Sequence, residues 1–163
     1  MKYGEKMIKF GVESAKIDRA PFLIKTDEEE ENCVRFTISL SCTNEKISKI
    51  DTGIENLDKI LSNAVPICPD YNERYEITFE SYIMYQVRNE SYCSYDDYEL
   101  GKGNYFIVFE KSRLLDVLPI ITDCQVLSDG TFYPDKWKHY GIYCLNHIID
   151  VITYNEPIIK KIS

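Results

Sequence analysis

Glycine and proline are both scarce in this sequence of 163 residues, which contains seven glycines and six prolines. So little of either residue is not typical of a disordered or linker-rich protein. No apolar run approaches the roughly 20 residues that a membrane helix needs, and residues 1–6 lead into no apolar secretory segment. These absences predict one soluble, cytoplasmic globular domain over residues 1–163, a length sufficient to bury a core.

Basic residues are outnumbered by acidic ones. The 19 lysines and arginines stand against 27 aspartates and glutamates, so the formal net charge is −8. Binding to the phosphate backbone of a nucleic acid requires clustered basic residues, and we therefore expect no nucleic-acid partner. A modest negative charge keeps a protein soluble and attracts basic proteins through long-range electrostatics. The composition thus favours a basic protein as partner, with no membrane partner, and leaves the oligomeric state open.

Sequence motifs for metal, nucleotide or hydrolytic chemistry are missing as well. There is no C-x-x-C pair, no glycine-rich phosphate loop and no G-x-S-x-G nucleophile elbow. Without a secretory segment, the six cysteines are expected to be reduced thiols that pack as small apolar side chains rather than three disulfides. We therefore predict no cofactor and no metal. The six cysteines are Cys33, Cys42, Cys68, Cys93, Cys124 and Cys144.

Alternation of apolar and polar residues predicts most of the strands. Every second side chain of residues 33–42 is apolar, which indicates an antiparallel strand with one solvated face. Residues 74–88 form the longest alternating segment, and we expect a bend near Ser81, where the aromatic run breaks. Residues 105–110 return as a strand, which we expect to pair with residues 74–88 as a hairpin across a long loop.

Two helices are predicted. Residues 52–65 carry an apolar stripe at helical spacing, with Asp51 or Thr52 as the cap, and we expect this stripe to pack as core against a sheet. Ser112 is placed to cap a short helix over residues 112–118. The stripe consists of Ile54, Leu57, Ile60, Leu61 and Ala64.

The predicted fold class is α+β. It consists of a mostly antiparallel, bent sheet of five to seven strands, with the main helix of about residues 52–65 packed on one face. The short helix of about residues 112–118 covers one end. No composition shift or linker divides the chain, so a single domain is expected.

The densest run of β-branched, aromatic and aliphatic residues spans 139–154 and holds both histidines. Within it, Cys144, His147 and Asp150 lie three residues apart, a spacing that on a helix places them on one face to bind a metal or activate a thiolate. On a strand, residues three apart point to opposite faces. Because strand formers dominate, we predict an extended structure without such a site, either one bulged strand or a hairpin with its turn at Asn146 and His147.

The loop of residues 92–99 is the best candidate for a binding surface, since its tyrosines alternate with acids. Tyrosine supplies broad contact area at low entropic cost, and carboxylates complement a basic partner. We therefore predict a non-enzymatic protein-binding domain, of the inhibitor or immunity-protein kind, with the acidic run 27–31 contributing. The structural alternative is that the tyrosines fold back onto the sheet. The predicted contact residues are Tyr92, Tyr95, Asp96, Asp97, Tyr98 and Glu99.

A small enzyme or ligand-binding domain with a pocket in the sheet is the second hypothesis. A concave site that exposes His147 beside Asp150 or Cys144 favours it, whereas a position of His147 at a turn does not. The candidate catalytic residues of this hypothesis are His139, His147, Asp150 and Cys144.

Overall fold

Two five-stranded antiparallel sheets and a two-stranded ribbon contain all twelve strands in the part of the chain that the structure describes. The structure is a computed structural model and describes residues 7–11, 13–28, 30–43 and 51–163. The strands are β1 (Met7–Lys9), β2 (Pro21–Asp27), β3 (Cys33–Thr43), β4 (Ile67–Glu80), β5 (Tyr82–Asn89), β6 (Leu100–Lys102), β7 (Phe106–Lys111), β8 (Gln125–Val126), β9 (Phe132–Tyr133), β10 (Lys138–Tyr143), β11 (His147–Thr153) and β12 (Ile158–Lys161). The helices are α1 (Glu55–Leu61) and α2 (Arg113–Ile121), with 3-10 turns at Ser14–Lys16 and Glu90–Tyr92.

The first sheet has the strand order β1-β12-β4-β3-β2, and the second has the order β5-β11-β10-β7-β6. All strand pairs among the described residues are antiparallel. The mostly antiparallel, sheet-rich α+β class is therefore confirmed, whereas the single sheet of five to seven strands is replaced by two sheets. The chain passes from one sheet to the other at Ser81, between β4 and β5, where φ is 58°. The predicted bend is at this residue.

The hairpin predicted from residues 74–88 and 105–110 is wrong. In the second sheet, β5 pairs with β11, while β7 pairs with β10 and β6. The β10–β11 hairpin, which comes later in the sequence, is inserted between the two segments and separates them.

The main core lies between the two sheets. Aromatic rings from opposite sheets meet across it, with centroids 5.8 Å apart both for Phe36 and Tyr85 and for Phe79 and Tyr140. Removal of these apolar side chains from water is the main favourable contribution to folding. The almost completely buried side chains of this core include Val34, Phe36, Ile38, Ile77, Phe79, Phe106, Ile142, Ile149, Val151 and Ile159.

The outer face of the second sheet is covered by α2 and the segment of residues 122–137. Leu118 of α2, Cys124 and Trp137 form a second apolar cluster with Ile152 of β11. Strand β11 is therefore buried on both faces, and this explains why its sequence is almost continuously apolar instead of alternating.

Residues 139–154 are extended, as predicted, and form the β10–β11 hairpin. The backbone N–H of Cys144 donates to the carbonyl of His147 at 2.8 Å, so Leu145 and Asn146 are the two residues of the turn. The hairpin is thus the correct alternative and the single bulged strand is wrong, but the turn lies one residue before the predicted position at Asn146 and His147.

The tip of this hairpin contacts β2 at the border of the first sheet. The side-chain amide of Asn146 accepts the backbone N–H of Leu23 and donates to the Leu23 carbonyl, both at 2.9 Å. The N–H of Leu145 donates to the carbonyl of Pro21 at 2.8 Å. The turn therefore pairs with β2 as a neighbouring strand does.

The predicted main helix is shorter than expected and does not pack as core. Helix α1 contains none of its residues in a buried position, and Ile54 and Ile60 are 59% and 69% exposed. The prediction of a helix over residues 52–65 packed on a sheet is therefore wrong. Side chains from the two sheets already fill the space between them, so no helix is required to cover that face.

The cap predicted for α1 is also wrong. Ile54 occupies the cap position and makes no side-chain capping bond. The N–H and Oγ1 of Thr52 instead donate to Oδ1 of Asp58, at 2.8 and 2.6 Å. Thr52 therefore lies outside the helix, with its hydroxyl bound to a carboxylate of the first turn.

Helix α2 begins as predicted, because Oγ of Ser112 accepts the N–H of Leu115 at 3.1 Å. It does not end at the proline but continues through Pro119 to its last residue. The N–H and Oγ1 of Thr122 both donate to the carbonyl of Leu118, at 3.0 and 2.7 Å, and so close the last turn. No helix in the described ranges is long and apolar enough to cross a membrane.

Candidate functional site

The imidazole of His139 joins two polar side chains on the outer face of the second sheet. Its Nε2 lies 3.1 Å from Oδ1 of Asp150, and its Nδ1 lies 2.8 Å from Oγ of Ser112. All three residues are buried, with exposed fractions of 1%, 2% and 0% respectively. Gly141 lies opposite Asp150 in the β10–β11 register, so His139 is the diagonal neighbour of Asp150 on the same face.

Phe109 and Gly141 fix the orientation of the imidazole. The ring of Phe109 stacks on His139, with centroids 4.2 Å apart and 13° between the planes. A Cβ atom at Gly141 would lie 2.8 Å from Cε2 of Phe109. Glycine at this position therefore allows the phenyl ring to lie across β10 and reach the histidine.

The carboxylate of Asp150 is bound by β5 as well. Its Oδ2 accepts Nε2 of Gln86 at 2.9 Å, and Nη2 and Nε of Arg88 at 2.8 and 3.1 Å. Burial raises the pKa of Asp150, but the interactions with His139, Gln86 and Arg88 outweigh it, so the pKa lies below its ordinary value. The carboxylate is therefore ionised, paired and fully hydrogen-bonded in its buried position.

The hydrogen bonds of this network form one chain that runs from the start of α2 to Asp150. Because the ionised Asp150 can only accept, Nε2–H of His139 donates to it; with a neutral imidazole, Nδ1 accepts the Ser112 hydroxyl, whose oxygen in turn accepts the N–H of Leu115. Serine, histidine and aspartate in hydrogen-bond contact have the composition of a hydrolase triad. Here, however, the serine is fully buried and its oxygen already accepts from the helix. The arrangement orients α2 on the sheet and leaves no access for a substrate to Oγ.

The triplet of Cys144, His147 and Asp150 is not brought together. Cys144 belongs to the core between the sheets, where burial raises the pKa of its thiol to about 12. Asp150 lies on the opposite face of the second sheet. His147 opens β11 directly after the turn, and its Nδ1 is buried without a hydrogen-bond partner among the described residues. Asp150 is separated from the other two because residues three apart on a strand face opposite sides, whereas Cys144 and His147 flank the two-residue turn and share a backbone hydrogen bond.

The six predicted contact residues of the loop fall into two groups. Tyr92 and Tyr95 are 88% and 90% exposed, and Asp97 is exposed as well. Asp96, Tyr98 and Glu99 are partly buried and bind other parts of the protein. The loop therefore presents one set of side chains to solvent and uses the other set to hold its own position.

Tyr98 folds back onto β7 and α2. Two cations lie over its ring, with Nζ of Lys111 3.6 Å and Cζ of Arg113 3.8 Å from the ring centroid. Its hydroxyl donates to Oδ2 of Asp116 at 2.5 Å. The alternative in which the tyrosines pack back on the fold thus describes Tyr98, but not the two exposed tyrosines.

Arg113 at the start of α2 is the second point of attachment. Its Nε donates to Oδ2 of Asp96 at 2.9 Å, and its backbone N–H donates to Oε1 of Glu99 at 3.2 Å. The hydrogen bond from Arg113 and that from the N–H of Tyr98 lower the pKa of Asp96. The two acids therefore hold the loop against the helix.

Two adjoining concavities of about 350 and 460 Å³ lie beneath this loop. The smaller one reaches the buried edges of His139 and Asp150. The larger one is lined by Tyr95, Tyr143 and Glu90 together with apolar side chains of the sheet. The lining that the two concavities share consists of Arg88, Cys93, Ser94, Asp96 and Glu99. The tyrosine-rich loop and the segment that contains His139 and Asp150, which the sequence suggested as separate candidate sites, are thus neighbours in space.

The described residues of the acidic run, 27, 28, 30 and 31, lie elsewhere, at the β2–β3 connection, and Glu29 lies outside the described residues. Its Glu28 accepts the hydroxyl of Tyr82, the first residue of β5, at 3.2 Å. The tyrosine-rich loop follows the other end of β5, on the order of 20 Å away for a strand of this length. The acidic run and the loop are therefore separate surface features.

Sequence reasoning did not assign roles to Gln86, Arg88, Ser112 or Arg113. Gln86 and Arg88 lie two residues apart and share a strand face, which the sequence shows. Their pairing with Asp150 follows only once β5 is known to lie beside β11. The missing signal is therefore the order of the strands.

Within the described ranges, no group of three or more histidine, cysteine, aspartate or glutamate side chains is arranged to hold a metal ion. No protein-family model, curated protein or solved structure matches this chain.

Proposed function

We propose that this chain is a protein-binding module, and that the loop of residues 89–99 recognises a basic segment of a partner protein. The observation that carries the proposal is the almost complete exposure of Tyr92 and Tyr95 on a loop whose ends are fixed. Tyrosines are enriched at protein interfaces because they provide apolar area and a hydrogen-bonding group with few rotatable bonds.

Preorganisation of the loop supports this function. At its start, the Asn89 side chain accepts the N–H of Ser91 at 3.0 Å, and the N–H of Cys93 donates to the Glu90 carbonyl at 2.9 Å. At its end, Asp96, Tyr98 and Glu99 bind α2 and β7, as described above. A loop that is ordered before binding loses less conformational entropy when its partner arrives.

The charge of the loop favours a basic partner. Arg88 and Arg113 are neutralised by Asp150 and Asp96, respectively. Glu90, Asp97 and Glu99 make no ion pair with any residue in the described ranges, so their negative charges remain available. Complementary charge at an interface accelerates association and selects against acidic partners.

The larger concavity is suited to a basic side chain of the partner. Its carboxylates, Glu90 and Glu99, stand beside the aromatic rings of Tyr95 and Tyr143. A guanidinium or ammonium group is attracted both by ionised carboxylates and by the faces of aromatic rings. An inhibitor or immunity protein directed against a basic protein is one concrete form of this function.

Isothermal titration with an arginine-rich peptide and its citrulline analogue tests the proposal, since citrulline keeps the shape of arginine without its charge. We expect binding of the arginine peptide, weakened by salt, and a loss of affinity of at least about tenfold in Tyr95→Ala and in Glu90→Gln. Tyr71→Ala is the matched control, because Tyr71 is 61% exposed on β4, outside the loop. Equal affinity for both peptides contradicts a role for charge, and unchanged affinity in both loop variants contradicts a role for the loop.

A ligand-binding or enzymatic pocket that uses His139, His147 or Asp150 is the second candidate. The observation in its favour is that the smaller concavity extends to His139 and Asp150. Under this alternative, a small polar ligand raises the melting temperature of the wild-type protein but not that of Asp150→Asn. A thermal-shift screen with small polar compounds, read against both proteins, distinguishes it from the protein-binding function.

A further inference from the structure

Cys42 and Cys68 face each other across the β3–β4 pair. They are direct partners in the strand register, and their Sγ atoms are 3.5 Å apart. Both are free thiols and both are partly exposed. Cys42 also lines a shallow surface depression with Arg19, Thr43 and Ile67, and Cys68 is its direct neighbour. A small oxidant in solution therefore has access to them.

The backbone at this position is compatible with a covalent bond between the two sulfurs. Residues directly opposite in an antiparallel pair have Cα atoms roughly 4.5–5.5 Å apart, and disulfides span Cα separations of roughly 4.4–6.8 Å. Side-chain rotation therefore brings the sulfurs together without a change in the strand pairing.

We propose that Cys42 and Cys68 are a redox-modification site that forms a reversible disulfide in the presence of hydrogen peroxide. The thiolate of one cysteine attacks the O–O bond, which breaks to give a sulfenic acid and, with a proton, water. The thiolate of the second cysteine then attacks the sulfenic sulfur, the S–O bond breaks, and the hydroxide leaves as a second water. The two cysteines lose two electrons together, and the peroxide gains them.

The thiol form is favoured at neutral pH until such an oxidant is present. The hydrogen bond with Cys68 and burial raise the pKa of Cys42, so only a small fraction of it is thiolate. Formation of the disulfide is therefore slow near neutrality and accelerates as the pH rises. The reverse reaction requires a dithiol reductant.

The disulfide would connect a residue near the end of β3 with a residue near the start of β4, and so close a covalent ring around the segment that joins the two strands. Residues 43–67, which include α1, lie between the two cysteines in the sequence. Oxidation would thus tie together the two ends of the segment that carries the exposed apolar residues of α1. Cleavage by a protease within this segment would leave the two fragments joined.

The test is treatment of the full chain with hydrogen peroxide, alkylation of the remaining thiols, and peptide mapping without reduction. We expect the mass loss of two hydrogen atoms, one cross-linked peptide pair that contains Cys42 and Cys68, and four alkylated cysteines. The cross-link disappears in Cys42→Ser and in Cys68→Ser and persists in Cys93→Ser, whose thiol is also partly exposed.

Two results overturn the proposal. One is recovery of both cysteines as separately alkylated or over-oxidised residues while the protein remains folded by circular dichroism. The other is a cross-link between a different pair of cysteines. Because the map of the wild-type protein alone decides between these outcomes, the test does not depend on the folding of the serine variants.

Discussion

His139 and Asp150 are diagonal neighbours across the β10–β11 pair, with Nε2 of the imidazole 3.1 Å from Oδ1 of the carboxylate and both side chains buried. The pair connects α2, through Ser112, with β5, through Gln86 and Arg88. It lies beneath the loop that we propose as the binding surface, and it binds the start of α2, to which Asp96 and Glu99 of the loop are attached.

Replacement of Asp150 by asparagine is expected to destabilise the fold. The variant removes the buried carboxylate charge that accepts from Arg88; because the Arg88 side chain is 43% exposed, solvent screens part of the loss, and we expect a cost of about 2 kcal/mol in the free energy of unfolding. Urea unfolding near neutral pH measures the change. Glu156→Gln is the control, because its ion pair with Lys138 is exposed and such pairs contribute at most about 1 kcal/mol. Equal stability of the two variants contradicts a structural role for Asp150.

The stability of the protein is expected to fall in acid, in part through Asp150. The pKa of this carboxyl in the folded protein lies below its unfolded value of 3.8, so the unfolded state takes up the proton first as the pH falls. The contribution of Asp150 to the free energy of unfolding is complete when the pH is well above the pKa in the unfolded state. It is lost as the pH falls through the pKa in the folded state. Urea unfolding from about pH 6 to about pH 3 measures it. The difference in stability between wild type and Asp150→Asn should shrink over this range; a constant difference contradicts the prediction.

Ser112→Ala is expected to cost about 1 to 2 kcal/mol, because it removes the cap of α2 and leaves Nδ1 of His139 without a donor. Ser62→Ala is the matched control, since Ser62 makes its side-chain bond at the exposed end of α1. Thermal unfolding of both variants tests the difference. Equal melting temperatures of the two variants would contradict this structural role of Ser112.

Gly141→Ala is expected to destabilise the protein by about 1 to 3 kcal/mol, because the added methyl group overlaps the ring of Phe109. A double-mutant cycle with Phe109→Leu tests the mechanism. The smaller side chain relieves the overlap, so the double variant should be more stable than the sum of the two single changes predicts. If the two effects are additive, the destabilisation by Gly141→Ala arises from a contact other than the one with Phe109.

The sequence was most informative where one strand face is buried. The alternation of residues 33–42 predicts β3 correctly, and the clustering of strand formers in residues 139–154 predicts an extended segment there. The sequence was misleading at α1. The apolar stripe of residues 52–65 is typical of a packed helix, yet Ile60 in the middle of this segment is 69% exposed. Local periodicity reports which residues can share a face, but not whether another element covers it.

The site was predictable only in its parts. Tyr92 and Tyr95 follow from composition, whereas the contacts of Arg88 and Ser112 require the neighbours of β10 and β11. Those neighbours come from distant segments of the chain, and their order follows from how two sheets close over one core. No pattern within a single segment encodes it.

The turn of the β10–β11 hairpin has a consequence for behaviour at high concentration. Strand β2 forms the outermost position of its sheet, where unpaired backbone groups can recruit a strand from another molecule. The carboxamide of Asn146 occupies both backbone groups of Leu23, and Leu145 occupies the carbonyl of Pro21. An intramolecular contact thus blocks part of this edge, so a change at Asn146 would affect aggregation before it affected the core.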